Sequence, residues 1–355
     1  MLHCALIGCG RVAPRHAESI RDLASLQLAA VVDVIGPRAQ RFAEAYAATA
    51  YTDYRHVLDR ADIDMVHIAT PSGLHAQMAV DALEAGKHVL VEKPIALTLE
   101  DADRMISTAE RKGRRLGVVL QNRFNPPVQD LRRLIDEGRL GKLLLGNATV
   151  RWYRPQEYYE DGWHGTREMD GGALMNQCIH HIDALQWLMG GEVVSVFAYT
   201  ATLAHRMETE DTGVAVWRFA NGALACVEGS SITFPENLEG SVAIFGERGS
   251  VKVGGTALNR KDFWKVSGEV EHERELLTHE RLDSPSVYGQ SHRAVISAMA
   301  DAVDSGGKVL TSGRDARKSL ELVLAMYESA RTGREVDLVS DKRGGEASGA
   351  TSSCP

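Results

Sequence analysis

Three groups of residues in this chain combine types and spacings that could do chemistry. The first is the run Gly8-Cys9-Gly10-Arg11-Val12-Ala13, which fits G-x-G-x-x-[G/A]. In such a turn Gly8 permits the tight bend, Gly10 lets the backbone approach a pyrophosphate, and Ala13 keeps helix and strand close. The helix that follows then points its N-terminus at the phosphates. Asp33 ends the second apolar run, where a carboxylate would bind adenosine ribose hydroxyls. An acid there disfavours a 2′-phosphate, so NAD is expected over NADP, although Arg38 lies close by in the chain.

The second group is Glu92-Lys93-Pro94, just past another short apolar run. In an open α/β sheet that position lines the ligand crevice. A lysine there can hold a substrate oxygen and help to move its proton. The proline admits a cis bond that would aim Lys93 inward. A surface-loop lysine is the plain alternative.

The third group lies between Asp170 and Asp183. Read as one helix at ~100° per residue, Asn176, His180, Asp183 and Trp187 fall along one line. Leu174, Cys178, Ile182, Leu185 and Met189 fall opposite and form the packed face. His180 thus sits in a polar stripe, and an imidazole suits proton transfer at neutral pH. His181, at the edge of the apolar face, reads as a packed or solvent-edge residue. Adjacent histidines point about 100° apart and cannot easily share an ion, so no metal is expected. Elsewhere, Arg123 and Arg154 could hold a carboxylate or diphosphate, or be solvated. Tyr159 and Trp163 could stack on a nicotinamide or a base, or be core aromatics. Tyr288 and His292 are weaker candidates for the cleft wall.

The elements that must position these groups follow from apolar periodicity. Strands are expected over 2–7, 28–34, 65–69, 88–91 and 116–120, with helices over 12–25, 37–48, 74–85 and 99–112. Continuous apolar strands alternating with helices predict a doubly wound parallel sheet. After Asn125-Pro126-Pro127 the pattern changes: a helix over 128–137, a strand over 143–152, an aromatic loop, one helix over 173–189, and strands at 193–203, 213–219, 223–231, 241–245 and 250–253. Asn221-Gly222 and Glu247-Arg248-Gly249 read as hairpin turns, hence an antiparallel sheet. Helices over 291–304 and 314–329 close the fold. The expected domains are 1–121, binding the dinucleotide, and 122–340, for substrate and oligomer contacts, with a disordered Gly/Ser-rich tail over 341–355.

Composition narrows the class. The 355 residues carry a net charge of −8, which leaves no footprint for nucleic acid or an anionic membrane. Hydrophobic 44% and charged 25% are the proportions of globular domains. No apolar run nears the ~20 residues of a membrane span. Five scattered cysteines suggest neither a disulfide framework nor a zinc site, and the first residues read as a strand, not a signal peptide. A soluble cytoplasmic enzyme is expected.

Four motifs in order resemble the Gfo/Idh/MocA family of NAD(P)-dependent sugar and inositol oxidoreductases: the Gly8–Ala13 turn with His16, Ala69-Thr70-Pro71-Ser72-Gly73-Leu74-His75, Glu92-Lys93-Pro94, and Gly171-Gly172 with His180-x-x-Asp183. The resemblance spans residues 2 to 338. It implies a Rossmann domain, then an α/β domain with a large, mainly antiparallel open sheet often used for oligomer contacts, here a homodimer or homotetramer. It implies Lys93 and His180 as the catalytic pair, with Asn176 where many members carry Asp. It also implies that Arg11, Val12, Thr70, Pro71, His75, Glu92, Gln121, Trp163 and His164 meet the cofactor. Finer features, Gln121-Asn122-Arg123-Phe124-Asn125-Pro126, Trp152-Tyr153-Arg154, Tyr158-Tyr159, Trp163-x-Gly165-Thr166 and Met175-Asn176-Gln177, resemble the branch that oxidises the 3-hydroxyl of a nucleotide-linked uronic acid. His164 and Arg167 depart from that branch. The expected substrate is thus a nucleotide sugar, bound by Lys93, Arg123, Arg154, Tyr159, Asn176, His180 and Tyr288. Another sugar or inositol dehydrogenase, or a non-catalytic NAD sensor, stays open.

Overall fold

A computed structural model describes residues 1–268 and 291–338. Tyr288 and the tail over 341–355 lie outside the described residues. The first sheet comprises β1 (Leu2–Ile7), β2 (Leu26–Val32), β3 (Thr49–Tyr51), β4 (Met65–Ile68), β5 (His88–Val91) and β6 (Leu116–Val118), in the order β3-β2-β1-β4-β5-β6. Every pair is parallel. The apolar runs predicted as buried strands are these, and the central ones are buried on both faces. Sequence reading missed β3, a three-residue edge strand with one exposed and two half-buried residues.

Helices α1 (Ala13–Arg21), α2 (Gly36–Tyr46), α3 (Arg55–Leu58), α4 (His75–Glu84) and α5 (Leu99–Arg111) connect these strands. At the start of α5 the Thr98 hydroxyl accepts the Asp101 N–H at 3.1 Å, satisfying one of the free donors of the first turn. A short turn, Gln121–Phe124, then leads into α6 (Pro126–Asp136).

The second sheet contains β7 (Leu143–Arg151), β8 (Val193–Ala201), β9 (Thr212–Phe219), β10 (Leu224–Ser230), β11 (Glu239–Gly246), β12 (Gly249–Gly254), β13 (Arg260–Val266) and β14 (Val336–Asp337). Its order is β13-β12-β11-β7-β10-β9-β8-β14. All neighbours are antiparallel except β7 and β10. Both predicted hairpins are present, between β9 and β10 and between β11 and β12.

Two expectations need correction. The helix predicted over 173–189 is two, α7 (Ala173–Asn176) and α8 (Ile179–Met189). The Cys178 N–H reaches back five residues to the Ala173 carbonyl at 2.9 Å, which opens the turn and breaks the 3.6-residue phase. The second concerns α9 (His292–Asp304), which the sequence assigned to the second domain. Its apolar face, Val295, Ile296, Met299 and Ala300, packs in one core with Leu6, Ala13 and Ile20 of the first. The chain thus returns to its first domain before α10 (Gly313–Thr332) covers the second sheet alongside α8. Ser312 and Asp315 form a reciprocal capping box at the start of α10.

Candidate active site

The carboxyl ends of the parallel strands open onto a cleft of about 1150 Å³, roofed by the loop that carries Tyr158, Asp161, Trp163 and His164. After β1, Gly8 holds φ at +95°, and a Cβ there would run into the Ala69 carbonyl of the next strand end. At Gly10, by contrast, an added Cβ would meet no atom within 4 Å. The backbone is therefore bare toward the cleft just before α1 begins, which is the room a pyrophosphate needs.

Asp33 follows β2. Its carboxylate accepts the Cys9 N–H at 3.0 Å and the Ile35 N–H at 2.9 Å, and Arg38 stands 3.4 Å away. These bonds lock the acid beside the glycine turn, where a ribose would lie. Bare backbone, helix N-terminus and anchored acid fit an NAD molecule. Gly8, Gly10, Arg11, Val12, Asp33, Thr70, Pro71, Glu92, Lys93, Trp163, His164 and Asn176 all line the cleft.

Lys93 follows β5, and the bond to Pro94 is cis. Its Nζ donates to Asn176 twice, to Oδ1 at 2.8 Å and to the main-chain oxygen at 2.9 Å. The break between α7 and α8 explains the second bond, because it leaves the Asn176 carbonyl to the lysine. Burial pushes the Lys93 ammonium down from its ordinary value. His180, at the start of α8, is buried and meets Gln121 at 3.2 Å between side-chain nitrogens. Burial, then the nearby Lys93 charge, hold the imidazole well below its usual range. Gln121 Oε1 and His180 Nδ1 are buried without a hydrogen-bond partner among the described residues.

Glu92 is buried beside Lys93. Burial alone would raise its carboxyl, but hydrogen bonds from His16 and His292 prevail and keep it well below the carboxylate range. His16 Nε2 donates to it at 2.9 Å. His75 lies just outside the cleft: its two ring nitrogens meet the Pro94 and Thr70 carbonyls at 2.8 and 3.0 Å, joining the two strand-end loops. It braces the site.

Five further residues expected at the site are not among those that line the cleft: Gln121 and His180, which are buried, and Arg123, Arg154 and Tyr159, which are engaged elsewhere. Arg123 is spent on Asp183, at 2.7 Å through both Nε and NH2. Arg154 donates to Gln177 Oε1 at 2.7 Å and to the Tyr153 carbonyl at 2.6 Å. The Tyr159 hydroxyl donates to Ser231 at 2.8 Å. For these last three a partner within the chain satisfies the polar group. His181 is fully buried edge-on against Trp152, the packed one of the two places expected for it.

The sequence reading assigned no role to Tyr158, Asp161 or Asp170. Tyr158 lines the cleft under the Arg11 guanidinium, 5.1 Å from its ring. Asp161 accepts the His164 Nδ1–H at 2.6 Å. Asp170 accepts from Gly165 and Asn176. An acid directly before Gly171-Gly172 and six residues before Asn176 was the available signal for the last.

A parallel sheet with this glycine turn, anchored acid and strand-end lysine defines a dinucleotide-dependent oxidoreductase. Residues 2–120 match the oxidoreductase family with an NAD-binding Rossmann fold, and residues 128–252 match the GFO/IDH/MocA C-terminal domain. The chain belongs to the Gfo/Idh/MocA family. It is similar to the WlbA dehydrogenase of Bordetella pertussis, solved with NADH and UDP-GlcNAcA, at 39% identity and TM-score 0.90, covering 95% of this chain and 97% of that one. The WlbA enzyme of Chromobacterium violaceum, also solved with NADH and UDP-GlcNAcA, is 40% identical, with TM-score 0.87 and coverage of 95% and 96%. The scyllo-inositol 2-dehydrogenase (NAD(+)) of Bacillus subtilis is 26% identical over 95% of this chain and 96% of its own length.

Proposed function

We propose that this enzyme uses NAD to oxidise the 3-hydroxyl of a UDP-linked N-acetylglucosaminuronic acid, a step toward bacterial surface polysaccharide. The observation that carries the reading is the junction of Lys93 with Asn176, both lining the cleft, with His180 within electrostatic reach of Lys93. The similarity to two dehydrogenases solved with that nucleotide sugar supports the choice of substrate.

Bound NAD supplies the acceptor for the hydride of the carbinol carbon. The chain does the rest. Gly8, Gly10 and the start of α1 hold the pyrophosphate, and Asp33 the ribose. Lys93 and His180 orient the hydroxyl and take its proton, a task suited to two bases that burial keeps from charging readily. Asn176 is an amide and cannot act as base; it holds Lys93 in place and offers a bond to a neighbouring hydroxyl.

The test is direct. The purified protein is given NAD and UDP-N-acetylglucosaminuronate, absorbance is followed at 340 nm, and the product is weighed for the loss of two hydrogens. Free inositol and free hexoses serve as controls. Turnover of inositol without turnover of the nucleotide sugar would assign the enzyme to another branch of the family.

A further inference from the structure

Behind Lys93 and Asn176 stands a third side chain, Asp170, only 2% exposed. Its Oδ2 accepts the Gly165 N–H at 2.7 Å, and its Oδ1 accepts from Asn176 Nδ2. The Asn176 oxygen in turn accepts from Lys93 Nζ at 2.8 Å. An amide has one accepting and one donating end. The end that faces Lys93 depends on what the other end finds. A carboxylate offers only acceptors, so it takes the NH2 and leaves the oxygen for the ammonium.

We propose that Asp170 is a positioning residue for Lys93: its carboxylate locks the Asn176 amide with the oxygen toward the lysine, and the site works only while that lock holds. The inference rests on the reading of Lys93 as the group that handles the substrate proton.

Hydrogen-bond logic gives the proposal its edge. With asparagine at 170, the Oδ1 must stay on the Gly165 N–H. The new NH2 then faces Asn176, which turns over and presents its own NH2 to the lysine ammonium. Two donors then oppose each other and the lock is lost. Exchanging both residues repairs it: in Asp170→Asn with Asn176→Asp, the amide at 170 keeps Gly165 and donates to the carboxylate at 176. The other oxygen of that carboxylate meets Lys93, so every group is again satisfied.

Titration should act in the same way. Burial raises the Asp170 carboxyl to about 7, against the Gly165 N–H, the Lys93 charge and the Asn176 bond. Asp161, Glu210, Tyr158 and Tyr159 also lie within its electrostatic reach. Once Asp170 gains a proton it carries a donor among donors, and the amide is released. Activity should therefore fall on the acid side of about 7 in the wild type, and this limb should be absent from Asp170→Asn.

The experiment compares wild type, Asp170→Asn and the exchanged double variant. Turnover, NADH binding and thermal melting are measured for each, together with the pH profile of Lys93 acetylation by acetic anhydride, read by mass spectrometry. Asp170→Asn should lose up to about a hundredfold in kcat while still binding NADH. Its Lys93 should label at a pH lower by about one unit, because a neighbouring negative charge has gone. The double variant should regain most of both. Wild-type kcat and an unshifted labelling profile in Asp170→Asn would overturn the proposal, as would a double variant no faster than the single. If Asp170→Asn does not fold, a folded, active double supports the lock and an unfolded double refutes it. A wild-type protein that oxidises no sugar would refute the reading of function, while the labelling profile would still decide on Asp170.

Discussion

Arg123 and Asp183 grip each other at two points inside the fold, Nε on Oδ2 and NH2 on Oδ1, each at 2.7 Å. Ser319 of α10 donates to the same carboxylate at 2.6 Å, and the Trp187 ring lies 5.3 Å from the guanidinium. The pair thus fastens the turn after β6 to α8 and α10, the two helices under the second sheet. Removing one partner of a buried ion pair strands the other charge, at a cost of about 3–5 kcal/mol. Arg123→Ala should lose about that much stability in urea unfolding. Unchanged stability with a raised KM for the sugar would return Arg123 to the substrate site.

Lys93 is the second test. If its amine and the His180 imidazole handle the hydroxyl proton, Lys93→Ala should lower kcat by about 10²–10⁴-fold. NADH binding, which draws mainly on the glycine turn and Asp33, should survive. Near-wild-type turnover in this variant would defeat the assignment. Arg is no substitute, since its charge cannot be given up in the working pH range.

Asp33 bears on cofactor choice. The carboxylate is held beside the glycine turn by two main-chain N–H groups, and Arg38 waits 3.4 Å away. Asp33→Ser should weaken NAD and leave Arg38 free for a 2′-phosphate. The ratio of kcat/KM for NAD over NADP should therefore fall by at least about tenfold. A ratio that stays put would mean Asp33 serves only to brace the loop.

How much of this was legible in the sequence depends on the range of the interaction. The parallel sheet was legible because strands buried on both faces, such as β4 and β5, read as unbroken apolar runs. Asp33 and Lys93 were legible because position after a strand implies the crevice. Arg123 and Arg154 were not, because no local pattern says whether an arginine's partner is a ligand or an acid far along the chain. Asp170 escaped for a related reason: its role depends on where Asn176 sits. The opened turn at Cys178, invisible to a helical periodicity, decides that position.

Glu210 gives a pH-dependent test of stability. Its buried carboxyl accepts the Leu174 N–H at 2.8 Å and the Tyr327 O–H at 2.9 Å, and burial raises it to about 7. The folded state therefore holds this proton more tightly than the unfolded chain. The contribution is complete below about 4.5 and is lost as pH rises through about 7. The loss is on the order of 3 kcal/mol. Glu210→Gln cannot ionise, so the difference in unfolding free energy between variant and wild type should move in the variant's favour from pH 5 to pH 8. A difference that is flat with pH would show that Glu210 does not change protonation on unfolding.

The open face of the second sheet supplies the last prediction. Strand register places Tyr199, Val214, Val216, Leu224, Phe245 and Phe263 on one side, and each is exposed. The other side is covered by α8 and α10. The same side also carries Arg151, Arg218, Glu228, Glu239 and Lys252; a partly apolar open face of this kind is where the expected oligomer contact would fall, and a second copy of the chain would present the same strands in return. Val216→Asp puts a charge at the centre of that face while leaving the buried side untouched. It should convert an oligomer into monomers, seen by light scattering after gel filtration, with the monomer's unfolding midpoint in urea reporting that the fold is kept. A wild-type chain that is already monomeric at micromolar concentration would remove the basis for this contact.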